Sequence, residues 1–325
     1  MKIIKDIIIK NKYKKKNFIK FIKLFYLFII LILFISMIKI NNVNKIKVCL
    51  CTLGKKENRY IRQFVKHYEK YGVDIIFLYD NNDIDGENFE DEINDYIVKG
   101  FVKIINWRGK LYSMYKIMND CYLQNYKKYD WLIFYEIDEF IHLFNYTNVK
   151  YFLNEPKFDK CQLIYLNLIC HTDNNLLYYE NKPLFERFPE IVPKNKIGGR
   201  FLEIKFILRG NISNININHI HLCNNNLKLI NCNGFGHRNK FKGRFTTEPD
   251  YNFYYIDHFY SKSTEEFIDK LNRGDAVSTN VNYYMLRIKK YFFQSNLTNE
   301  KIDMISKSTG LNLSIYKNLI NKKKN

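Results

Sequence analysis

The stretch that decides the fold is residues 46–83, which read IKVCLCTLGKKENRYIRQFVKHYEKYGVDIIFLYDNND. The apolar run 46–53 has the length of a buried strand, and residues 57–71 then place apolar side chains at helical spacing. A second buried-type strand at 74–79 runs directly into the polar loop 80–83. This strand–helix–strand order predicts a mostly parallel sheet with helices on both faces, an α/β fold.

The same alternation continues to residue 139. A helix at 87–98, a strand at 101–106, a helix at 111–128 and a strand at 131–135 are predicted in turn. The polar clusters 80–83 and 136–139 both follow strands. Since ligands of parallel sheets sit beyond the carboxyl ends of the strands, these two clusters mark the expected binding edge.

Beyond residue 145 the pattern becomes rich in loops. Further strands are predicted at 161–169, 201–208 and 215–222. Residues 251–260 are aromatic and include a strand before His258, and two or three helices fill 264–325. Ser263 and Glu266 have capping-box spacing for a helix at 264–272. Seven cysteines are too few for a disulfide scaffold, and Cys49 and Cys51 alternate on one strand face as core residues do.

The N-terminus combines a basic block with an apolar run. Residues 1–23 hold nine lysines and one acid, and residues 24–38 (LFYLFIILILFISMI) carry no charge. With flanking lysines snorkelling into the headgroups, 18–40 is long enough to span a bilayer. The alternatives are a buried core helix and a signal peptide. The run lacks the polar face expected of a core helix and the small-residue cleavage site expected of a signal peptide. The lysines precede the run, so the rest of the chain is expected across the membrane.

The excess of 52 Lys+Arg over 33 Asp+Glu therefore acts partly as a topology signal. With the N-terminal block set aside, the remaining positive charge is modest, and no nucleic-acid partner is expected. Four Asn-x-Ser/Thr triplets suit a luminal domain, although an Asn-rich chain also forms them by chance; they begin at Asn145, Asn211, Asn296 and Asn312.

Three carboxylates, Glu136, Asp138 and Glu139, follow the fourth strand. On extended backbone Glu136 and Asp138 point the same way, so both could reach one cation. Oxygen ligands with open positions suit Mn²⁺ or Mg²⁺ shared with substrate phosphates. An ordinary acidic turn at a strand end is the alternative.

Three segments carry a family resemblance: 48–83, YDWLIFYEIDEFIHL at 129–143 and YIDHFYSKSTEEFIDKLNRGD at 255–275. Together they resemble glycosyltransferase family 92 and related enzymes of the GT-A fold. The resemblance implies a GT-A fold, a mostly parallel central sheet preceded by one transmembrane helix, and a metal-dependent transferase using a nucleotide sugar. Two positions depart from the family pattern: Glu136 stands for the first carboxylate of D-x-D, and Met114 stands where relatives often carry Gln.

The resemblance assigns roles to the metal site. Asp138 is expected as a direct ligand of Mn²⁺ (or Mg²⁺), and Glu136 acts through water or ribose. Glu139 could instead orient the loop. His258 is expected to complete the metal shell, since its imidazole suits Mn²⁺; a packed histidine is the alternative.

Further residues are expected around the donor. Thr52, Glu57 and Asp80 are placed to bind uracil and ribose, with an Asx-turn acceptor as the alternative for Asp80. Lys262 would approach the diphosphate as a point charge. Inversion at the sugar carbon needs a base for the acceptor hydroxyl, and Asp173 is the first candidate and Glu186 the second. Either acid could be structural, Glu186 by pairing with Arg187.

The complete expectation is a single-pass type II membrane protein that moves a hexose from a UDP-sugar, for example UDP-galactose, to a glycan or glycoconjugate. In a eukaryote the catalytic domain would face the Golgi or ER lumen. A catalytically silent glycan-binding or adaptor protein of the same fold is the alternative. The predicted divisions are a basic cytosolic tail (1–17), a signal anchor (18–40), a stem (41–47) and a GT-A domain (48–325), its nucleotide half 48–144 and its acceptor half 145–325.

Overall fold

The computed structural model describes residues 20, 22–34, 46–111, 113–193, 203–217, 229–238, 241–242, 245–246, 249–274 and 281–324. The chain divides into two units, Met1–Ile46 and Lys47–Asn325. In the first unit residues 22–34 are helical and exposed. Within the described ranges, no helix combines the length and apolar character needed to cross a bilayer. The predicted tail, most of the stem and part of the predicted anchor lie outside those ranges.

The first half of the second unit alternates strands and helices, as predicted. Its elements are β1 (Val48–Gly54), α1 (Asn58–Lys70), β2 (Ile75–Asp80), α2 (Glu90–Val98), β3 (Val102–Asn106), α3 (Met114–Asn125) and β4 (Trp131–Phe134). These four strands are parallel and adjacent in the order β3-β2-β1-β4. All four predicted strands and all three predicted helices of this half are confirmed, with ends that differ by a few residues.

The second half extends the same sheet. Its strands are β5 (Glu139–Leu143), β6 (Leu163–Cys170), β7 (Ile204–Arg209), β8 (Asn231–Asn233), β9 (Phe241–Lys242), β10 (Phe245–Thr246) and β11 (Tyr254–His258). The full order is β3-β2-β1-β4-β7-β6-β11-β5, with β8 beside β6, while β9 and β10 form a separate pair. Strands β7 and β5 run antiparallel to their neighbours, so the sheet is mixed but mostly parallel.

The predicted strand at 215–222 is wrong for residues 215–217, the part of it that the structure describes. Residues 215–217 are not in a strand, although Ile215 and Ile217 are buried, and 218–222 lie outside the described ranges. The two apolar side chains instead pack into the cluster beneath α3. Asn119 of α3 holds this segment, donating to the carbonyl of Ile217 and accepting from its N–H. Alternating apolar residues thus mark burial here without a ladder of strand hydrogen bonds.

The main core joins α3 to the sheet. Met114, Ile117, Met118, Cys121 and Tyr122 face buried side chains of β1, β2, β4 and β7. Each fully buried large apolar side chain contributes about 1.5–3 kcal/mol. This packing fixes the start of α3 close to the carboxyl end of β1.

Among the residues that the structure describes, two disulfides are formed, Cys51–Cys121 and Cys161–Cys232. The first joins β1 to α3, and the second joins the segment just before β6 to β8. Cys49 is a buried free thiol, as expected, whereas Cys51 is buried but disulfide-bonded rather than a simple core residue. Sequence spacing did not indicate these pairs, because their partners are 70 and 71 residues apart.

Helices complete the second unit. They are α4 (Val149–Leu153), α5 (Leu184–Arg187), α6 (Thr264–Asn272), α7 (Val281–Gln294), α8 (Asn299–Thr309) and α9 (Ser314–Lys324), with a 3₁₀ turn at Pro156–Phe158. Helices α6, α7 and α8 share a second core, in which the rings of Phe267 and Tyr291 stack 4.1 Å apart. The predicted capping box is confirmed: Ser263 and Glu266 exchange side-chain and backbone hydrogen bonds at the start of α6.

Candidate active site

The ends of the predicted strands meet at one edge of the sheet, and this edge is longer than the sequence indicated. Strands β1 to β4 end at one edge of the sheet, and the pairing through β7 brings the ends of β6 and β11 to the same edge. The antiparallel strands β5 and β7 begin there. We call this the carboxyl edge, and it carries Glu57, the acidic turn 136–139, Lys205, His258 and Lys262.

Asp138 lies at the centre of this edge and is 2% exposed. Its Oδ2 accepts a hydrogen bond of 2.6 Å from Lys270 Nζ and lies 3.8 Å from Lys262 Nζ. Burial alone would raise the pKa of Asp138, but the two ammonium groups outweigh it and hold the pKa well below its usual range. Asp138 is therefore an ionised carboxylate at neutral pH.

Glu136 and Glu139 share a different cation. Lys205 of β7 lies 2.6 Å from Glu136 Oε1 and 3.0 Å from Glu139 Oε1. Burial acts to raise the pKa of both acids; the attraction to Lys205 outweighs it at Glu136 and lowers that pKa to about 2, whereas burial prevails at Glu139 and raises its pKa to about 8. Glu139 also accepts from the Glu136 N–H, so it orients the loop.

The acidic segment is not extended as predicted. Residues 137–138 form a turn, and the N–H of Glu139 bonds to the carbonyl of Glu136. The carboxylates of Glu136 and Asp138 consequently contact separate lysines rather than one cation. The premise that alternation on a strand aligns them is wrong, because β4 ends at Phe134 and the chain reverses before β5.

His258 ends β11 and stands opposite Glu139 in the β5–β11 ladder. Its ring is buried, and neither Nδ1 nor Nε2 has a hydrogen-bond partner. Nε2 lies 3.7 Å from Asp138 Oδ1 and 4.0 Å from Glu139 Oε1. Burial lowers the pKa of His258 to about 3, so the ring is neutral and keeps a lone pair for a ligand.

The fit of a divalent ion depends on these two side chains. Across the ranges the structure describes, no three His, Cys, Asp or Glu side chains are arranged to hold a metal. Asp138 Oδ1 and His258 Nε2 do face each other, and a buried imidazole without partners is costly unless something binds it. Mg²⁺-type sites commonly use one or two protein ligands and complete the shell with water and phosphate. The pair therefore fits an ion held jointly with a substrate.

Glu57 and Lys262 adjoin Asp138. Arg273 bonds to Glu57 Oε1, and Lys262 Nζ lies 3.6 Å from Oε2. Lys262 has a left-handed backbone, with φ at 51°, and its ammonium sits 3.7 Å above the ring of Tyr60. Burial lowers the pKa of this lysine. Its ammonium is thus fixed between two carboxylates, beyond normal hydrogen-bond distance of either.

Thr52 borders a narrow cleft beside the acidic turn, with an inner space of about 10 Å³, room for about one water molecule. The cleft is lined by Cys51, Thr52, Leu53, Met114, Ile117, Met118, Phe134, Tyr135, Glu136 and Lys205. Two buried hydroxyl oxygens, Thr52 Oγ1 and that of Tyr135, have no hydrogen-bond partner. The cleft as it stands is too small for a sugar, and a role of Thr52 in binding uracil or ribose stays a prediction.

Asp80 is buried outside this cluster. Its Oδ1 accepts from the N–H of Asn82, the Asx-turn contact considered above, and its Oδ2 accepts from Arg108 Nε at 2.7 Å. Arg108, which the sequence did not suggest, also donates to carbonyls of the loop after β2. The contacts give Asp80 a structural role, and its contact with ribose stays a prediction.

The two candidate bases have different surroundings. Asp173 is 1% exposed, and its Oδ2 accepts from Lys301 Nζ and from the hydroxyl of Tyr291. Glu186 is exposed on α5. The alternative of an ion pair between Glu186 and Arg187 is wrong. Arg187 instead makes two hydrogen bonds to the buried carboxylate of Glu266.

Three cations at the carboxyl edge were missed: Lys205, Lys270 and Arg273. In a chain with 52 Lys and Arg, an individual basic residue carries little information. One signal was available for Lys270, because it lies four residues after Glu266 on the buried face of α6, beside Phe267 and Leu271. A lysine on a buried helix face needs an anionic partner.

Fold and site together define an α/β protein that gathers buried acids, lysines and a neutral histidine at the carboxyl edge of one sheet. Residues 44–287 match the sequence profile of glycosyltransferase family 92. The chain belongs to glycosyltransferase family 92.

Relatives with this family name match over shorter stretches. A Ricinus communis family 92 protein is 24% identical over 130 residues, 39% of this chain and 22% of the relative. An Oryza sativa family 92 protein is 28% identical over 99 residues, 29% of this chain and 16% of the relative. The match thus spans about a fifth or less of the length of these curated relatives.

Solved structures match more remotely. S. aureus TarS 1-349 in complex with UDP gives a TM-score of 0.36 at 11% identity, covering 83% of this chain and 76% of that one. The complex of TarS 1-349 with UDP-GlcNAc gives 0.34 at 12% identity, covering 82% and 80%.

Proposed function

We propose that this protein transfers a hexose from a nucleotide-diphosphate sugar to a glycan or glycoconjugate acceptor at the carboxyl edge. The donor is a UDP-sugar, with UDP-galactose among the candidates. Family membership supports the reaction class. The observation that carries the site is the unpartnered, buried His258 facing Asp138, flanked by Lys262 and Lys270.

In this proposal Asp138 Oδ1 and His258 Nε2 hold a Mn²⁺ or Mg²⁺ ion. When bound, the ion offsets the negative charge that develops on the departing diphosphate. Lys262 binds a phosphate oxygen, because its ammonium has donors that the distant carboxylates leave unused. Glu139 holds the acidic turn in place.

The acceptor hydroxyl needs a base if the reaction inverts the sugar carbon. Glu186 is exposed and can be reached by an acceptor. Asp173 is enclosed by Lys301 and Tyr291, so it would have to break a buried ion pair to act. The geometry thus favours Glu186 and reverses the order that the sequence suggested.

Hydrolysis of a panel of UDP-sugars in Mn²⁺ by the purified full-length protein tests the function. We expect turnover of one donor and its loss, by about a hundredfold or more, in Asp138→Ala. Asp303→Ala is the control, since Asp303 is an exposed aspartate on α8 paired with Lys317. Undiminished turnover in Asp138→Ala would refute the metal role, and glycan binding without turnover of any donor would favour the silent adaptor.

The proposal includes a type II orientation, with residues 18–40 as the anchor and 41–325 in the lumen. The order of charge and apolar residues in the sequence supports it. Two disulfides in the second unit are consistent with an oxidising compartment.

A further inference from the structure

The carboxylate proposed to hold the metal already has a full set of counter-charges from the protein. Lys270 Nζ contacts Asp138 Oδ2 at 2.6 Å, and Lys262 Nζ lies 3.8 Å from the same oxygen. All three side chains are at least nine-tenths buried. Water therefore screens these charges weakly, and any further cation at Asp138 is repelled by the two ammonium groups.

The other carboxylates of the carboxyl edge are also paired with cations of the protein. Lys262 and Arg273 lie against Glu57, and Lys205 lies against Glu136 and Glu139. A divalent ion alone would add positive charge to a buried cluster whose carboxylates already have protein cations beside them. A nucleotide diphosphate brings the compensating negative charge, so ion and nucleotide suit the site together better than either does alone.

We infer that Lys270 is an internal counter-cation of Asp138 that suppresses metal binding until a nucleotide diphosphate arrives, making the binding of the two ligands mutually dependent. This inference rests on the proposed function of the site. Lys270 acts through Asp138 and is a positioning residue. Reciprocity requires that the nucleotide strengthen metal binding by the same factor as the metal strengthens nucleotide binding.

The contacts of Lys270 and Lys262 indicate different roles for the two lysines. Lys270 makes a direct hydrogen bond to Asp138, and α6 and the ring of Tyr260, 4.4 Å away, hold it there. Lys262 stands 3.6 Å from Glu57 and 3.8 Å from Asp138, so its ammonium can turn to a phosphate without breaking a hydrogen bond. Lys270 thus sets the charge at Asp138, and Lys262 is the cation available to the diphosphate.

Calorimetric titration of the full-length protein with Mn²⁺, with and without UDP, tests the inference. In the wild-type protein we expect UDP to tighten Mn²⁺ binding about tenfold or more. In Lys270→Met we expect Mn²⁺ alone to bind about tenfold more tightly than in the wild type, and UDP to add little. Lys270→Arg keeps the charge and should keep the coupling. Lys301→Met is the matched control, because Lys301 is a buried lysine paired with Asp173 and should leave Mn²⁺ binding unchanged.

The outcomes separate the two proposals. If the wild-type protein binds Mn²⁺ equally well with and without UDP, the coupling is overturned. The proposed function still stands in that case if UDP binds. This comparison does not depend on the folding of any variant. Unchanged Mn²⁺ affinity in a folded Lys270→Met would overturn the role of Lys270. Failure of UDP to bind in the presence of Mn²⁺ would overturn the proposed function and the coupling with it.

Discussion

Two buried histidines of similar exposure show how hydrogen bonds decide what a residue does. His171 is fully engaged, since Nδ1 contacts the carbonyl of Phe188 at 2.7 Å and Nε2 contacts Asp257 at 2.8 Å. His258 has no hydrogen-bond partner at either nitrogen. A ring that contributes no hydrogen bond to the fold, yet points at an ionised carboxylate, is better explained by a ligand than by packing.

Replacing each histidine by leucine should therefore affect a different property, activity for His258 and stability for His171. His258→Leu should change the free energy of unfolding by less than about 1 kcal/mol, because no hydrogen bond is lost. It should reduce Mn²⁺-dependent donor hydrolysis by about a hundredfold. His171→Leu should lower the free energy of unfolding by about 2–4 kcal/mol, because a buried carbonyl and a buried carboxylate lose their partner. Denaturant unfolding and donor hydrolysis measure both quantities; a strongly destabilised His258→Leu would show that the ring is structural.

At the scale of elements, the start of α6 joins three parts of the domain. Glu266 accepts from Arg187 of α5, from the hydroxyl of Tyr60 on α1 and from Ser263 in its own capping box. Burial would raise the pKa of Glu266, but these hydrogen bonds outweigh it and lower the pKa to about 2 from an ordinary value of 4.5. The helix that carries Lys270 is thus held by an ionised glutamate.

This lowered pKa predicts a loss of stability in acid. A carboxylate whose pKa is lower in the folded state stabilises it fully above pH 4.5 and loses that contribution as the pH falls towards 2. The contribution is about 3 kcal/mol. Glu266→Gln should therefore be less stable than the wild type at pH 7, and the difference between the two should shrink below pH 4.5. Urea unfolding across this pH range measures it, and a difference that is independent of pH would contradict the pKa assignment.

The elements themselves were largely predictable, and the contacts between distant elements were not. Helix α6 begins and ends where predicted, because its capping box and apolar face are local signals. The acidic turn 136–139 was correctly placed at a strand end, but its turn geometry was missed. Its cations were missed as well: Lys270 meets Asp138 across 132 residues and Lys205 meets Glu136 across 69. Such pairings depend on tertiary packing, which a single sequence does not encode in its spacing.

At the scale of the whole molecule, two independent features bear on the proposed luminal orientation. Four cysteines of the second unit form two disulfides, which persist in oxidising surroundings. The acceptor asparagine of every Asn-x-Ser/Thr triplet is exposed: Asn145, Asn211, Asn296 and Asn312. All four are therefore accessible to glycosylation, which makes the proposed luminal orientation testable.

Synthesis of the full-length chain with microsomal membranes should therefore yield a glycosylated product that resists external protease. Glycosidase treatment should lower its mass, and changing the four asparagines to glutamine should remove the difference. Alkylation of the unreduced, denatured protein should leave Cys51, Cys121, Cys161 and Cys232 unlabelled and should label Cys49 and Cys170, because only the first four are disulfide-bonded. An unglycosylated, protease-sensitive product with all six of these cysteines labelled would place the domain in a reducing compartment, and the type II orientation would have to be abandoned.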